Sequence, residues 1–157
     1  MRWDVVGLVL GWTIRLVAVP LAVVAVYSCH QEGLDIGLRT FLAPLVLAAL
    51  LGQSLVSLSK DADASTRVRD REAFASVALG WIPVVAVGAL PFWLGGMFYG
   101  PFEYMDGNAS HSDVLAGLLH SWFESMSGFT TTGATVIDHT TSPMCLEGAD
   151  CIGSQRR

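Results

Sequence analysis

At 157 residues, with 52% hydrophobic residues, 15% charged residues and a formal net charge of −5, the chain could fill one modest domain but is too apolar for a soluble one, which carries about 25% charged residues. The mean hydropathy is +0.51, and the polar residues gather between long apolar stretches, as a bilayer demands of a chain that must keep charge out of its core. The acidic balance excludes a basic nucleic-acid surface. Cys29, Cys145 and Cys151 form no CxxC pair and have no histidine spacing that completes a zinc motif.

The first apolar stretch, Val5 to Tyr27, is too long for a signal-peptide core and lacks a clear small-residue cleavage site. Arg15 is its one charge. The second runs from Thr40 to Leu58 and the third from Ala73 to Tyr99, neither carrying a charge. Each can cross a hydrocarbon core about 30 Å thick at about 1.5 Å per residue. Pro83 and Pro91 are expected to bend the third. The linker between the second and third stretches, residues 59–72, holds Lys60, Arg67, Arg69 and Arg71. The loop at 28–39 holds only Arg39, and residues 100–112 hold no Lys or Arg. The positive-inside bias therefore predicts a cytoplasmic N-terminus and linker, with the 28–39 loop and the region near residue 100 outside.

Past Tyr99 the character changes. A polar loop is expected to residue 112, then a helix over 113–127 in which Val114, Leu115, Leu118, Leu119, Trp122, Phe123 and Met126 recur at helical spacing. Asp113 is the expected N-cap. Such a helix, at about 22 Å, is too short to span. It leads into Gly128-Phe129-Thr130-Thr131-Thr132-Gly133-Ala134-Thr135, where three β-branched threonines oppose helix and Gly133 is free to take conformations closed to other residues. Extended backbone at membrane depth survives only where protein or a water-filled pathway satisfies its carbonyls. A short helix feeding an extended Thr/Gly strand is the architecture of a cation filter, in which carbonyls replace the ion's hydration shell.

Residues 123–135, FESMSGFTTTGAT, closely resemble the first pore loop of the Trk/Ktr/HKT potassium-transporter superfamily, and its TrkH-type membrane subunits in particular. REAFASVALGW, residues 71–81, is similar to the start of that family's first outer helix. The resemblance implies an all-α membrane protein with three transmembrane helices, a re-entrant pore helix and an extended selectivity filter. Residues 1–58 would be two leading transmembrane helices and 59–72 a cytoplasmic linker. Residues 73–157 would form the first half-repeat, with outer helix 73–99, pore helix 113–127, filter 130–133 and extracellular loop 136–157. The family's architecture is four such repeats around one pathway. The inner helix that would follow Arg157 is missing, so the chain is expected to be a truncated product or a piece of a larger transporter.

The resemblance implies carbonyl donors at Thr130, Thr131, Thr132 and Gly133, with potassium held at Thr131, Thr132 and Gly133 as transported substrate and no cofactor. Glycine at position 133 goes with potassium selectivity, where serine goes with sodium in some plant members. It further implies the remaining repeats, a homodimer, and a cytoplasmic nucleotide-binding regulatory subunit as partners, in the cell membrane. Glu124 and Gly128 are the candidate filter supports; the carboxylate either raises cation occupancy or braces the filter through backbone amides. Glu103, Asp106, Asp138, Glu147 and Asp150 either draw cations to the mouth or solvate a loop. Cys145 and Cys151 could bridge in an outside loop, leaving Cys29 free. Arg15 is expected to pair with a neighbour's polar group or to snorkel. His30, His111, His120 and His139 show no ligand spacing. The rival reading is a non-conducting membrane scaffold or assembly protein. An enzyme is not expected, since the spans hold neither an HExxH pair nor a Ser/His dyad.

Overall fold

A computed structural model describes residues 2–60, 62, 68–138 and 140–145. Among these the chain is all-helical. Three long helices come first: α1 (Trp3–Gln31), α2 (Leu34–Leu58) and α3 (Asp70–Leu94); the short α4 (Pro101–Met105) and then α5 (His111–Phe129) follow, with one 3-10 turn at Pro143–Cys145. At 29, 25 and 25 residues, α1 to α3 are about 43, 37 and 37 Å long. All three are long and apolar enough to cross a membrane, yet their most apolar windows are only 17%, 17% and 28% buried within the chain. Leu58, Phe74 and Val26 stand among many exposed large apolar side chains. So much outward-facing apolar surface fits lipid, not water, as the surroundings.

The helices extend beyond the apolar stretches because helical hydrogen bonding does not stop where the lipid does. In α1 the last turn is polar, and Glu32 N–H closes it on the Ser28 carbonyl at 2.8 Å. The third helix stays helical through both prolines but stops at Leu94, short of the expected Tyr99. Gly95 caps it, and Gly96 follows at a φ of +76°, a turn that apolar composition alone could not reveal.

Helices α1 and α2 pack as an antiparallel hairpin. Small residues let their backbones approach: a Cβ on Gly11 would lie 2.9 Å from the Gly52 carbonyl oxygen, a contact type that drives helix association in lipid. Ile14, Ala48 and Val87 bring α1, α2 and α3 together in one small core. Arg2 ties the N-terminus to the start of α3, its Nη2 donating to the buried Glu72 Oε2 at 2.7 Å. The N-terminus, the start of α3 and Lys60 at the end of α2 therefore share one end of the bundle.

Helix α5 runs antiparallel to α3. Near its start, Trp93 Nε1 donates to the Val114 carbonyl at 3.2 Å, and Phe98 meets His120 with ring centroids 5.5 Å apart. Further along, Ser125 Oγ donates to the Val85 carbonyl at 2.9 Å, which lies about 14 Å inside the Leu94 end of α3. Gly117 is packed so tightly on Tyr99 that a Cβ would collide with its backbone.

Candidate ion-coordinating segment

The start of α5 differs from the expectation. The N-cap is Ser110, not Asp113. Ser110 Oγ accepts from the Asp113 N–H at 3.3 Å, while Asp113 Oδ2 accepts from the Ser110 N–H at 2.9 Å. This reciprocal box satisfies two orphan helix donors, and a serine three residues before an aspartate is better placed for it than the aspartate itself. The Ser110 hydrogen bonds hold the Asp113 carboxyl below an ordinary aspartate's 3.8.

The end of α5 is the more informative part. Thr130, Thr131 and Thr132 do not begin an extended strand. They close a six-residue helix-terminating turn, in which Thr131 N–H donates to Gly128 O at 3.2 Å and Thr132 N–H to Ser127 O at 3.1 Å. That pair of bonds is the Schellman arrangement, whose pivotal residue is left-handed and usually glycine. Here the pivot is Thr131, at a φ of +54°. A β-branched residue held in that region costs about 1–3 kcal/mol and persists only where its surroundings over-determine it. Gly133 is also left-handed, at +69°, with Thr132 between them at negative φ.

Hydroxyls and one carboxylate supply the over-determination. Thr130 Oγ1 donates to Met126 O at 2.8 Å and lies 2.7 Å from Thr132 Oγ1. Ser127 Oγ donates to Ala134 O at 2.6 Å. Beyond the turn the chain runs back beside α5, where Glu124 Oε1 accepts from Thr135 Oγ1 and from the Val136 N–H, both at 2.7 Å. Thr141 Oγ1 then donates to Val136 O at 2.6 Å. Glu124 is half-buried and clamps the returning strand to the helix.

Against this saturated frame, Thr130 to Gly133 stand exposed. Among the described residues, none donates a hydrogen bond to the carbonyl oxygens of Thr130, Thr131, Thr132 or Gly133. Of the flanking carbonyls, those of Met126, Ser127, Gly128, Ala134 and Val136 accept hydrogen bonds, while among the described residues none donates to Phe129 or Thr135. The C-terminal end of α5 abuts the same segment, and its aligned peptide dipoles place about half a negative charge there. No neighbouring atom lies within 4 Å of where a Cβ would stand on Gly128 or Gly133. The segment is thus an exposed, electronegative turn whose four carbonyls accept no hydrogen bond from the described residues.

The other candidate residues are dispersed. Glu103 Oε2 accepts from the Gly100 N–H at 2.8 Å, and Asp106 caps α4, a helix hidden from composition inside the expected polar loop. Cys145 is disulfide-bonded and Cys29 is free. Cys151, Glu147, Asp150, Arg67 and His139 lie outside the described residues. Among the described residues, no cluster of three or more His, Cys, Asp or Glu could hold a metal ion. Arg15 meets α2, where its Nη2 donates to Gln53 Oε1, and lies over the Trp12 ring at 5.0 Å.

The chain is similar to the Trk system potassium uptake protein TrkG of Escherichia coli (strain K12), with 27% identity over 133 residues, covering 85% of this chain. The similarity supports a Trk-type relationship. The aligned region is 23% of the relative, so this chain spans about a quarter of its length. No family model and no solved structure matches the chain. Together with three helices fit to cross a bilayer, the similarity supports a multi-pass protein of the cell membrane.

Proposed function

We propose that this chain contributes to potassium uptake by supplying one quarter of an ion-selective pathway, with α5 as a re-entrant pore helix and Thr130–Gly133 as one filter strand. The observation that carries this reading is the exposed run of carbonyls from Thr130 to Gly133 that, among the described residues, accept no hydrogen bond. A bare carbonyl at membrane depth is costly unless water or an ion meets it. The repeated left-handed residues at 131 and 133 support the same use. A regular strand turns successive carbonyls to opposite sides, whereas reversing the sign of φ at alternate residues can bring them to one.

In this mechanism a potassium ion sheds water onto the main-chain oxygens of Thr131, Thr132 and Gly133. The α5 C-terminus favours its charge, and the electrochemical gradient drives it through. Glu124 braces the strand from behind, while Gly128 gives α5 a bare edge beside the turn. One strand cannot enclose an ion, so the remaining repeats complete the ring. The cytoplasmic side carries the N-terminus and the 59–72 linker, where a nucleotide-binding regulatory subunit would engage a homodimer. The role is transport, not catalysis.

The test is potassium uptake by a transport-deficient cell expressing the complete reading frame, with wild type compared with Gly133→Ser. Uptake that loses preference for potassium over sodium supports the filter. Uptake unchanged by Gly133→Ser removes it. Absence of uptake from a correctly inserted wild-type protein would favour a scaffold.

A further inference from the structure

Arg15 lies 12 residues along α1 from Trp3 and 16 before Gln31, within about 3 Å of the helix midpoint and so about 12 Å from the nearer edge of a 30 Å core. An arginine side chain cannot bridge that span to the headgroups without deforming the bilayer. Its guanidinium is always charged and carries five N–H donors. Among the described residues it has one hydrogen-bond acceptor, the neutral Gln53 Oε1, and no carboxylate within ion-pair distance. Gln53 is itself committed, since its Nε2 donates to Ser57 Oγ at 3.1 Å.

The position around α1 is equally specific. Val9, Thr13 and Val17 face α3 across a cleft shared with Gly80 and Val84. Arg15 is two residues from both Thr13 and Val17, about 200° around the helix, on the side turned away from α3. Its neighbours there, Trp12, Leu16 and Val19, are 55%, 68% and 61% exposed, and Gln53 is exposed beside them. A cation and two polar side chains thus break an otherwise lipid-facing apolar surface. Charge at this depth occurs where it is paired, and a planar guanidinium with free N–H groups matches a carboxylate in bidentate fashion.

We propose that the Arg15–Gln53 strip is a docking site for a transmembrane helix of a separate protein that presents a carboxylate at mid-membrane. A second copy does not fit: Glu124 on α5 is already engaged by Thr135 Oγ1 and the Val136 N–H, and the other helices offer no described carboxylate at that depth. Among the described residues, the acidic side chains of α1, α2 and α3 are Asp4, Asp35, Asp70 and Glu72, all in the first turns. The end of α5, with Glu124, Gly128 and Phe129, shares a cavity with Val17, Leu21 and Val24 of α1. That is the side of α1 opposite Arg15, so segments that complete the Thr130–Gly133 ring gather away from this strip. That last step, from any helix to one of a separate protein, rests on the filter reading; the carboxylate chemistry does not.

The test uses the complete protein in lipid nanodiscs and a labelled leucine-based transmembrane peptide with one central glutamate, beside its glutamine twin, read by energy transfer. The glutamate peptide is expected to associate about tenfold more tightly than the glutamine peptide, and Arg15→Met should erase the difference. Gln53→Leu, which frees the guanidinium, should keep or widen it, and covers the case in which Arg15→Met does not fold. Equal binding of the two peptides, a preference that survives Arg15→Met, or one that Gln53→Leu abolishes would overturn the proposal. So would loss of co-purifying anionic lipid in Arg15→Met without peptide discrimination, which would assign the site to a headgroup. Potassium selectivity in Gly133→Ser is independent of these readouts, so the two readings fail separately.

Discussion

Removing the Glu124 carboxylate tests how the candidate filter is held. Oε1 takes two hydrogen bonds at 2.7 Å, from Thr135 Oγ1 and the Val136 N–H. Hydrogen bonds to a charged acceptor contribute about 1.5–3 kcal/mol each, and the lower figure suits a half-exposed site. Glu124→Ala should therefore cost the braced conformation about 3 kcal/mol, a shift of about a hundredfold in its population. Glu124→Gln keeps an acceptor of similar reach with neutral bonds of about 1 kcal/mol each, and should cost about 1 kcal/mol in total. Hydrogen exchange at the Val136 amide, alongside potassium and sodium uptake by the complete protein, reads both changes. Fast exchange and lost selectivity in the alanine variant, with the glutamine variant near wild type, are the expected results. If glutamine is as damaging as alanine while the Val136 amide stays protected, the charge acts on the ion directly and the bracing argument fails.

The left-handed Thr131 carries strain that glycine would relieve, so Thr131→Gly should raise thermal stability by about 1 kcal/mol; a lowered melting temperature would contradict the assigned turn. Gly117→Ala forces a Cβ into the Tyr99 backbone and should destabilise by about 3 kcal/mol. Gly128→Ala meets open space in a helix and should be neutral or stabilising by up to about 1 kcal/mol; both are read in one thermal-melting series. Because Asp113 is depressed by Ser110, its contribution to the α5 cap is present above pH 3.8 and fades as the pH falls through its lower folded value. A carboxyl NMR titration should show that depressed midpoint, and Ser110→Ala should return it toward 3.8.

The membrane character and the three long helices were legible because apolar runs are a one-dimensional signal that lipid enforces directly. Their ends were not. The break at Gly95-Gly96 sits inside continuing apolar sequence, and the polar last turn of α1 is helical for backbone reasons alone. The Thr/Gly segment announced itself by composition, but its conformation did not: β-branching favoured a strand, while the Ser127, Gly128 and Met126 carbonyls drew the threonine amides into a helix-terminating turn. Residue identity pointed to Glu124, but its partners lie 11 and 12 residues on, across a reversal that no local pattern encodes. Arg15 was visible as an anomaly in an apolar stretch, and only the fold shows Gln53 beside it.

In the proposed mechanism the main-chain oxygens of Thr131, Thr132 and Gly133 coordinate the transported ion. Anomalous diffraction from crystals of the complete protein grown with rubidium or thallium tests it most directly. An anomalous peak is expected within coordination distance of those three oxygens, lost or displaced in Gly133→Ser. An ion pathway marked by peaks elsewhere, with this turn empty and its oxygens bonded to protein donors, would contradict it.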